Sequence, residues 1–296
     1  NKEEQDECDF KTAYCHYQTQ NIYIAAPIFE NLSKTTNKYK DDATYYYAHI
    51  SYINEESDKA LELFKSLKQN EKYADIADIY ILQINFEKGN HDEVVDKGDN
   101  ILTKAQKSRK ADIALMLAES WHQQGDYKKS LEYYNIATQN SRRKLPREVE
   151  FKIGFCKMKN EDYQGAIEHF TKVADKNDEL AQYASYYMAQ CYTNTDQDKF
   201  ARNTFLKAYK MNYNDTLKEN ALYNYAVLSF IPGIDPFGES INILNDYIKN
   251  NPQSSQLSDL QDIAIHLLLN SENYGLALKT IDEYDNLSPE LKKIQS

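Results

Sequence analysis

The sequence predicts an all-α protein in which about eight helical hairpins follow one another along the chain. Helix-breaking residues are scarce, since only 8 glycines and 6 prolines occur among the 296 residues. Apolar residues recur at the spacing of one helical face. Small and large residues also return at the same sites in one hairpin after another, which is typical of a repeat array that grows without a single central core.

Residues 111–144 show the pattern most clearly. Two amphipathic segments flank a sharp turn at Gln124-Gly125-Asp126. Spacing of i, i+3, i+4 and i+7 puts the apolar residues of each segment on one helical face. These residues are Ala114, Leu117, Ala118 and Trp121 in the first helix and Ser130, Tyr134 and Ala137 in the second. Small residues stand where two helix backbones would cross, and large residues surround them.

The same register extends over the whole chain. The second helices share a small site, which reads Ala25, Ala60, Val94, Ser130, Ala166, Ala201, Ser240 and Ala277. A large residue follows four positions later, at Phe29, Phe64, Gly98, Tyr134, Phe170, Phe205, Leu244 and Ile281. The first helices have their own small site, at Ala13, Ala48, Leu82, Ala118, Gly154, Ala189, Ala226 and Ala264. From Leu32 to Tyr284, at equivalent sites, is 252 residues, which over seven intervals gives a mean of 36.

This arrangement resembles the tetratricopeptide repeat (TPR), whose pattern runs aromatic, Leu, Gly and Tyr and then Ala and Phe, with a period of roughly 34 residues. The resemblance implies an α-α solenoid that curls into a right-handed superhelix, with the first helices lining its concave groove. It also implies a single TPR solenoid domain over residues 1–296. The hairpins fall at approximately 6–40, 41–73, 75–108, 111–144, 147–180, 182–215, 219–254 and 258–291.

Several sites depart from the pattern. Gly98 replaces the large residue of the third repeat, which predicts a helix that packs less well or is irregular. We expect Pro27 to lie in the first turn of its helix, where proline is tolerated. Residues 232–238 predict a loop that carries Ile234 and Phe237 outward. Residues 288–291, Ser-Pro-Glu-Leu, predict the start of another helix, so the array or a further domain would continue past Ser296.

The charge of the chain narrows the class of partner. A net charge of −11 disfavours nucleic acid, whose binding depends on clustered Lys and Arg. It also disfavours an anionic membrane surface. No apolar run approaches the roughly 20 residues that cross a bilayer. The chain does not begin with Met, so we interpret it as a processed or trimmed product from which a signal segment could have been removed.

The four cysteines predict neither a disulfide framework nor a zinc site. Cys8 and Cys15 are two helical turns apart, roughly 10 Å, which is too far for a disulfide. Cys15, Cys156 and Cys191 recur two residues after the small residue of a first helix. We therefore expect buried thiols at these three sites. Cysteine usage does not indicate the compartment.

No motif in the sequence indicates catalysis. A phosphate-binding Gly-rich loop, a nucleophile elbow and a two-histidine zinc motif are all missing. The six histidines are scattered without metal-ligand spacing. Surface or groove histidines are the more frequent outcome of such a distribution. We therefore predict no catalytic residue, no metal and no cofactor.

The candidate binding residues come from the TPR resemblance. In that family the groove-facing residues lie three before, one after and four after the small residue of the first helix. We call these positions the first-helix face. The resemblance assigns a partner-binding role to Tyr14, Tyr17, Tyr45, His49, Tyr52, Gln83, Phe86, Glu119, His122, Phe155, Met158, Tyr186, Gln190, Tyr223 and Phe230. Phe10, Ile79, Leu115, Phe151, Thr193, Val227, Gln261, Ile265 and Leu268 complete the set.

This face is rich in Tyr and Phe and contains no Lys or Arg. Aromatic rings suit extended or helical peptides, because a ring gives much contact area for little lost entropy. The lack of Lys disfavours the role of TPR co-chaperones that hold a partner's C-terminal carboxylate. For any single residue, packing between repeats is the simpler explanation. For the face as a whole, a contiguous apolar surface favours a partner.

We therefore predict a non-enzymatic scaffold that binds a protein or peptide in its aromatic groove. One alternative is the regulatory or substrate-recruiting arm of a longer enzyme or signalling protein. Another is a carbohydrate-handling protein, which splayed and exposed rings would favour and interlocked rings would disfavour. The abundance of Tyr, Asn, Lys and Asp is similar to Bacteroidetes-type TPR proteins. That similarity favours a bacterial protein with a periplasmic or outer-membrane-associated location over a cytoplasmic one. The identity of the partner and the oligomeric state do not follow from the sequence.

Overall fold

The structure is a computed structural model, which describes residues 1–231, 239–270 and 272–284. Within those ranges the regular structure is all α-helical, and sixteen helices follow one another along the chain. The predicted fold class, an all-α array of helical hairpins, is confirmed. The loop predicted at 232–238 and the helix start predicted at 288–291 lie outside the described residues.

The helices divide between two compact units, residues 1–143 and 144–296. The first unit contains α1 (Lys2–Gln18), α2 (Ile22–Lys34), α3 (Lys40–Ile53), α4 (Ser57–Ser66), α5 (Ala74–Glu87), α6 (His91–Lys104), α7 (Lys107–Gln123) and α8 (Tyr127–Asn140). The second unit contains α9 (Arg147–Lys159), α10 (Tyr163–Val173), α11 (Glu179–Thr193), α12 (Asp198–Lys210), α13 (Asp215–Leu228), α14 (Glu239–Asn250), α15 (Leu257–Asn270) and α16 (Tyr274–Glu283). A single continuous domain over all eight hairpins stays a prediction.

Each described hairpin turn places one residue in the left-handed region of backbone conformation. Two hairpins use glycine there, Gly89 at φ 74° and Gly125 at φ 78°. The predicted turn at Gly125 is thus confirmed, and the Asp126 side chain accepts a hydrogen bond from the backbone N–H of Lys129 at 3.0 Å. Five other turns use a non-glycine residue with φ between 55° and 64°, namely Gln20, Glu55, Glu161, Asp196 and Glu272. Such a conformation costs an L-residue roughly 1–2 kcal/mol.

The small and large residues of the predicted register form the core. The small sites of the eight second helices are fully shielded from solvent, and those of the eight first helices are buried. The large residues that follow are also buried, and Phe29, Phe64, Phe170 and Phe205 are at most 1 % exposed. Small residues therefore recur in the sequence at the positions where two helices cross. A large side chain at a crossing would hold the two backbones apart.

An aromatic ladder joins consecutive hairpins within each unit. The ring of Tyr46 in α3 stacks on Phe29 of α2, with centroids 5.2 Å apart and planes 20° apart. The ring of Tyr80 in α5 stacks on Phe64 of α4 at 4.6 Å and 6°. In the second unit, Tyr187 of α11 lies on Phe170 of α10 at 6.2 Å and 25°. At these three places a first helix thus covers the large residue of the hairpin before it.

The prediction that Gly98 makes its helix irregular or loosely packed is wrong. Helix α6 is continuous from His91 to Lys104. The fully buried side chain of Leu117, from α7, fills the space that a large residue occupies in the other hairpins. A Cβ added to Gly98 would lie 2.4 Å from Leu117 Cδ2. The large side chain that α6 lacks at this site is thus supplied by α7, the first helix of the following hairpin.

Two other sequence-based predictions need correction. Helix α2 begins at Ile22, so Pro27 lies in its second turn and not in its first. Proline leaves the carbonyl four residues earlier without its helical bond, but Tyr23 is 86 % exposed, so water can reach that carbonyl. Cys156 and Cys191 are buried as predicted, whereas Cys15 is exposed. Among the described residues no earlier helix covers that side of α1.

Candidate partner-binding face

In the first unit, the predicted face residues meet in a chain of contacts across α1, α3 and α5. The hydroxyl of Tyr17 lies 2.9 Å from Nδ1 of His49 and forms a hydrogen bond with it. The His49 ring meets the edge of Tyr80 at a centroid distance of 5.5 Å. Tyr80 in turn meets Tyr52 at 5.5 Å. The structure therefore brings Tyr17, Tyr45, His49 and Tyr52 together, with Tyr45 stacked beside His49 at 6.4 Å.

Hydrogen bonds extend this chain to the end of α5. The Tyr52 hydroxyl donates to Oε1 of Glu87 at 2.5 Å. The Gln83 amide donates both to the Tyr52 hydroxyl oxygen at 2.5 Å and to Oε1 of Glu87 at 3.1 Å. Burial, followed by the hydrogen bond to Glu87, raises the pKa of Tyr52 above its usual value. The tyrosine is therefore a neutral donor, and it holds the Glu87 carboxylate in place.

His49 is enclosed mainly by rings. Tyr17, Tyr45 and Tyr80 surround it, and burial lowers its pKa below the usual value. Burial also raises the pKa of Tyr80 to about 12. At neutral pH this part of the face is consequently uncharged, because desolvation disfavours the charged form of each group.

The other predicted residues of the first unit have different neighbours. Tyr14 is 38 % exposed and meets the edge of Tyr46 at 5.4 Å. Phe86 contacts His91 at 5.9 Å, and His122 contacts Tyr127 at 5.4 Å. Both of these contacts are made to the second helix of the same hairpin. Glu119 is half-buried on α7.

The face of the second unit is neutral and partly interlocked. Phe155 meets the edge of Tyr187 at 5.2 Å, and Tyr186 meets Tyr187 at 5.6 Å and Phe205 at 5.5 Å. Burial raises the pKa of Tyr186 above its usual value. Tyr223 is 36 % exposed. These rings form a hydrophobic surface that is fixed by its own internal contacts.

A cleft of about 410 Å³ opens on this same face. Met158, Gln190 and Thr193 line it, together with Asn194 and Asn224. Carboxamides and a hydroxyl can donate to and accept from a peptide backbone. At the far end of the face, Phe230 contacts the ring of His266 at 6.5 Å.

The sequence-based assignment missed residues that hold the face together. Tyr46, Tyr80 and Tyr187 lie two positions before the small residue of their helix, a position that the TPR resemblance does not assign to the groove. Their recurrence as Tyr at one register position is the signal that could have found them. Glu87, one position beyond Phe86, was also missed.

The face offers contact surfaces and few reactive groups. Its rings, hydroxyls and carboxamides suit hydrophobic contact and hydrogen bonding. Over the described ranges, no group of three His, Cys, Asp or Glu side chains is arranged to hold a metal ion. None of the described helices has the combination of length and apolar composition that a membrane-crossing helix needs.

Comparisons with known proteins find likeness in structure only. No model of a protein family matches the sequence, and no curated protein matches it. The C-terminal part of a TPR repeat-containing protein from Cytophaga hutchinsonii is similar at a TM-score of 0.50 and 15 % identity, over 92 % of this chain and 98 % of that one.

Two further solved structures are similar at lower scores. The apo form of the quorum sensor NprR from B. thuringiensis has a TM-score of 0.45 and 12 % identity, over 95 % of this chain and 88 % of that one. The TPR2AB-domain:pHSP90-complex of yeast Sti1 has a TM-score of 0.39 and 14 % identity, over 82 % and 88 %. The hairpin register, the buried helix crossings and the likeness to the Cytophaga hutchinsonii structure together show that this chain has a TPR-type fold.

Proposed function

We propose that the chain is a non-enzymatic scaffold that binds a peptide or protein partner on its first-helix faces. The observation that carries the proposal is the chain of rings and hydrogen bonds from Tyr17 through His49, Tyr80 and Tyr52 to Glu87. Its members are held by their neighbours and yet remain part-exposed. A rigid amphipathic surface of this kind gains contact area without a large loss of side-chain entropy on binding.

The interlocking of the rings favours a peptide over a sugar. A sugar stacks on a free ring face, but Tyr46 already stacks on Phe29 and Tyr80 on Phe64. One face of each of these rings is therefore already covered, whereas a polypeptide can make contacts along a surface without stacking on a single ring. A regulatory or substrate-recruiting arm of a longer protein would use the same face.

A selection from a random peptide library tests the proposal directly. Peptides of about 12 residues span roughly 40 Å when extended, which covers four first helices roughly 10 Å apart. The full chain is immobilised as wild type, as Tyr14→Ala/Tyr52→Ala, and as Tyr23→Ala. Tyr23 serves as the matched control because it is an exposed tyrosine on the second helix α2. We avoid Tyr45, since it stacks on Tyr73 at 4.9 Å and its loss would also affect packing.

The expected result is a set of sequences enriched on the wild type and on Tyr23→Ala but not on the double variant. Circular dichroism spectra of all three proteins should be equally helical. Enrichment of the same sequences on Tyr14→Ala/Tyr52→Ala would remove the first-helix face of the first unit from consideration.

A further inference from the structure

We propose that the second unit contains a separate site for an extended peptide segment, in a cavity between α14, α15 and α16. The observation that carries this proposal is the side chain of Gln261 on α15, which is 5 % exposed and lines that cavity. Its Oε1 atom is buried and has no hydrogen-bond partner among the residues that the structure describes. A buried acceptor without a donor costs free energy, so a ligand that donates to it removes that cost. The site adds to the proposed function and does not depend on it, because the rings of the first unit play no part in it.

The cavity has the size and the walls of a ligand site. Its volume is about 480 Å³, within the range of roughly 300–1,000 Å³ for small-molecule sites. Ile248 of α14 and Leu257 of α15 give it apolar walls, and Thr280 of α16 adds a hydroxyl group. The hydroxyl of Tyr284 donates to Oδ1 of Asn245 at 2.8 Å and so joins the end of α16 to α14. The walls are therefore held in place without a ligand.

The charges at the cavity favour a neutral ligand. Lys249 and Glu283 both line it and both are exposed, so the cavity is open to solvent. Their charges are opposite, and the other described side chains that line the cavity are uncharged. Glu283 is also balanced by Lys279 of α16, whose Nζ lies 3.8 Å from its Oε1. A charged ligand would meet attraction from one of these groups and repulsion from the other, whereas a neutral peptide segment meets neither.

Gln182 of α11 shows which groups satisfy a buried carboxamide in this fold. Gln182 is fully buried, and its Oε1 accepts a hydrogen bond from the backbone N–H of Asn214 at 2.8 Å. Its Nε2 donates to the carbonyl oxygen of Met211 at 2.9 Å and, at 3.4 Å, to that of Asn214. Asn214 has an extended backbone, with φ −131° and ψ 112°. One carboxamide thus holds both the N–H and the C=O of a single extended residue.

Gln261 offers the same two kinds of hydrogen bond inside a cavity. An extended peptide residue would donate its N–H to Oε1 and accept from Nε2 through its C=O, while its side chain would lie against Ile248 and Leu257. The N–H and C=O of one extended residue point to the same side, as they do in the hydrogen-bonded pairs of antiparallel strands. A water molecule would also satisfy Oε1, so the experiment has to separate a peptide from water.

A blocked tripeptide tests the proposal by nuclear magnetic resonance. The probe is acetylated and amidated Ala-Leu-Ala, and its matched analogue has an ester in place of the amide that carries the N–H of the leucine. The full chain is used as wild type, Gln261→Met and Gln164→Met. Met is unbranched like Gln but has no hydrogen-bond donor and only a weak acceptor, and Gln164 is an exposed carboxamide on α10. Binding is followed by the side-chain N–H₂ resonance of Gln261, which Gln261→Met identifies by its absence, and by the backbone amide of Thr280 in all three proteins.

We expect the tripeptide to shift the Gln261 resonance of the wild type and of Gln164→Met, with the same dissociation constant for both proteins. That constant should be about tenfold higher for Gln261→Met, because the peptide N–H loses its acceptor. The ester analogue should bind the wild type about tenfold more weakly than the tripeptide, because Oε1 is then left unpaired. On Gln261→Met the two probes should bind alike.

Three results would overturn this inference. Without peptide, Gln261→Met should unfold at a urea concentration no lower than the wild type, because an apolar side chain replaces an unpaired buried group. A lower midpoint would mean that the carboxamide is already paired in the free protein. An unchanged Gln261 resonance at millimolar tripeptide would mean that the cavity holds water alone, and equal affinity of the wild type for tripeptide and ester would contradict the bond to Oε1. None of these results bears on Tyr14→Ala/Tyr52→Ala, which tests the proposed function.

Discussion

The side chain of Leu117 in α7 lies against the backbone of Gly98 in α6, so that a Cβ on Gly98 would be 2.4 Å from Leu117 Cδ2. Glycine in a helix interior is less favourable than alanine by roughly 0.5–1 kcal/mol. The close contact therefore explains why this helix tolerates a glycine. The two residues act as one packing unit between the third and fourth hairpins.

We expect the effect of Gly98→Ala on the free energy of unfolding to depend on the size of the side chain at position 117. In the wild type, the substitution should lower the free energy of unfolding by about 1–2 kcal/mol, because Leu117 must move. In a Leu117→Ala background, it should raise that free energy by about 0.5–1 kcal/mol through helix propensity. Urea denaturation of the four proteins measures both effects. The same sign in both backgrounds would disprove the coupling.

The stacked pair Tyr80 and Phe64 should be a major contact between the second and third hairpins. Tyr80→Ala removes a half-buried ring, and we expect a loss of about 2–3 kcal/mol in the free energy of unfolding. Tyr80→Phe keeps the ring and should cost less than about 1 kcal/mol. Thermal and urea denaturation measure whether Tyr80→Ala loses more stability than Tyr80→Phe. Equal losses for the two variants would mean that the hydroxyl, not the ring, carries the contact.

Substitution by glycine should raise the free energy of unfolding at a hairpin turn and lower it inside a helix. Glu55 has a φ of 61°, so Glu55→Gly should relieve strain and raise the free energy of unfolding by about 0.5–1 kcal/mol, after allowance for the more flexible unfolded chain. Glu62 lies inside α4, and Glu62→Gly should lower it by about 1 kcal/mol. Both values come from the same denaturation experiment, and a loss of stability in Glu55→Gly would refute the argument from strain.

A buried helix crossing in the second unit should not accept a larger residue. Ala166 is fully buried in α10, and Ala166→Leu should lower the free energy of unfolding by about 1–3 kcal/mol through overpacking. Glu168, on the exposed side of the same helix, is the control, and Glu168→Leu should stay within about 0.5 kcal/mol of the wild type. If both variants had the same free energy of unfolding, Ala166 would not lie at a helix crossing that excludes larger residues.

The environment of His49 predicts a loss of stability in mild acid. Burial lowers the pKa of His49 in the folded state, so the unfolded chain binds the proton more readily. The contribution of the neutral His49 is complete above its unfolded pKa of about 6.5 and is lost as pH falls through the lower folded value. Burial lowers the pKa of His169 as well, so part of the effect should remain in a His49→Gln variant.

The measurement is the midpoint of urea unfolding at several values between about pH 7.5 and pH 5.5. The wild type should lose more stability over this interval than His49→Gln. If His49→Gln loses as much stability as the wild type over this interval, burial of His49 among the tyrosine rings does not affect its protonation.

The sequence contained enough information for the fold because helix crossings accept few residue types. Ala25, Ala60 and Ala166 return at one register position, and a crossing has room for little more than a methyl group there. All of these sites are buried in the structure. Compensation between helices could not be predicted in the same way. Leu117 fills the space beside Gly98 from a different helix, and the register of one helix does not show what its neighbour supplies.

The sequence predicted which residues lie on the candidate face. It did not predict which of their side chains contact one another. The register placed Tyr17, His49 and Tyr52 on one side of their helices, and the structure brings them together. It could not show that Tyr80 turns back onto the preceding hairpin, or that Phe86 turns towards His91. Those directions depend on side-chain rotamers and on the rotation between hairpins, which the spacing of residues does not specify.

Isothermal titration of one peptide from the selection is the most direct test of the claim that the first-helix face binds a partner. The peptide is titrated into the wild type, Tyr14→Ala/Tyr52→Ala and Tyr23→Ala. We predict that the dissociation constant rises at least about tenfold, or about 1.4 kcal/mol, in the double variant, and stays unchanged in Tyr23→Ala. Equal affinity for the wild type and the double variant, with both proteins folded, would contradict the account.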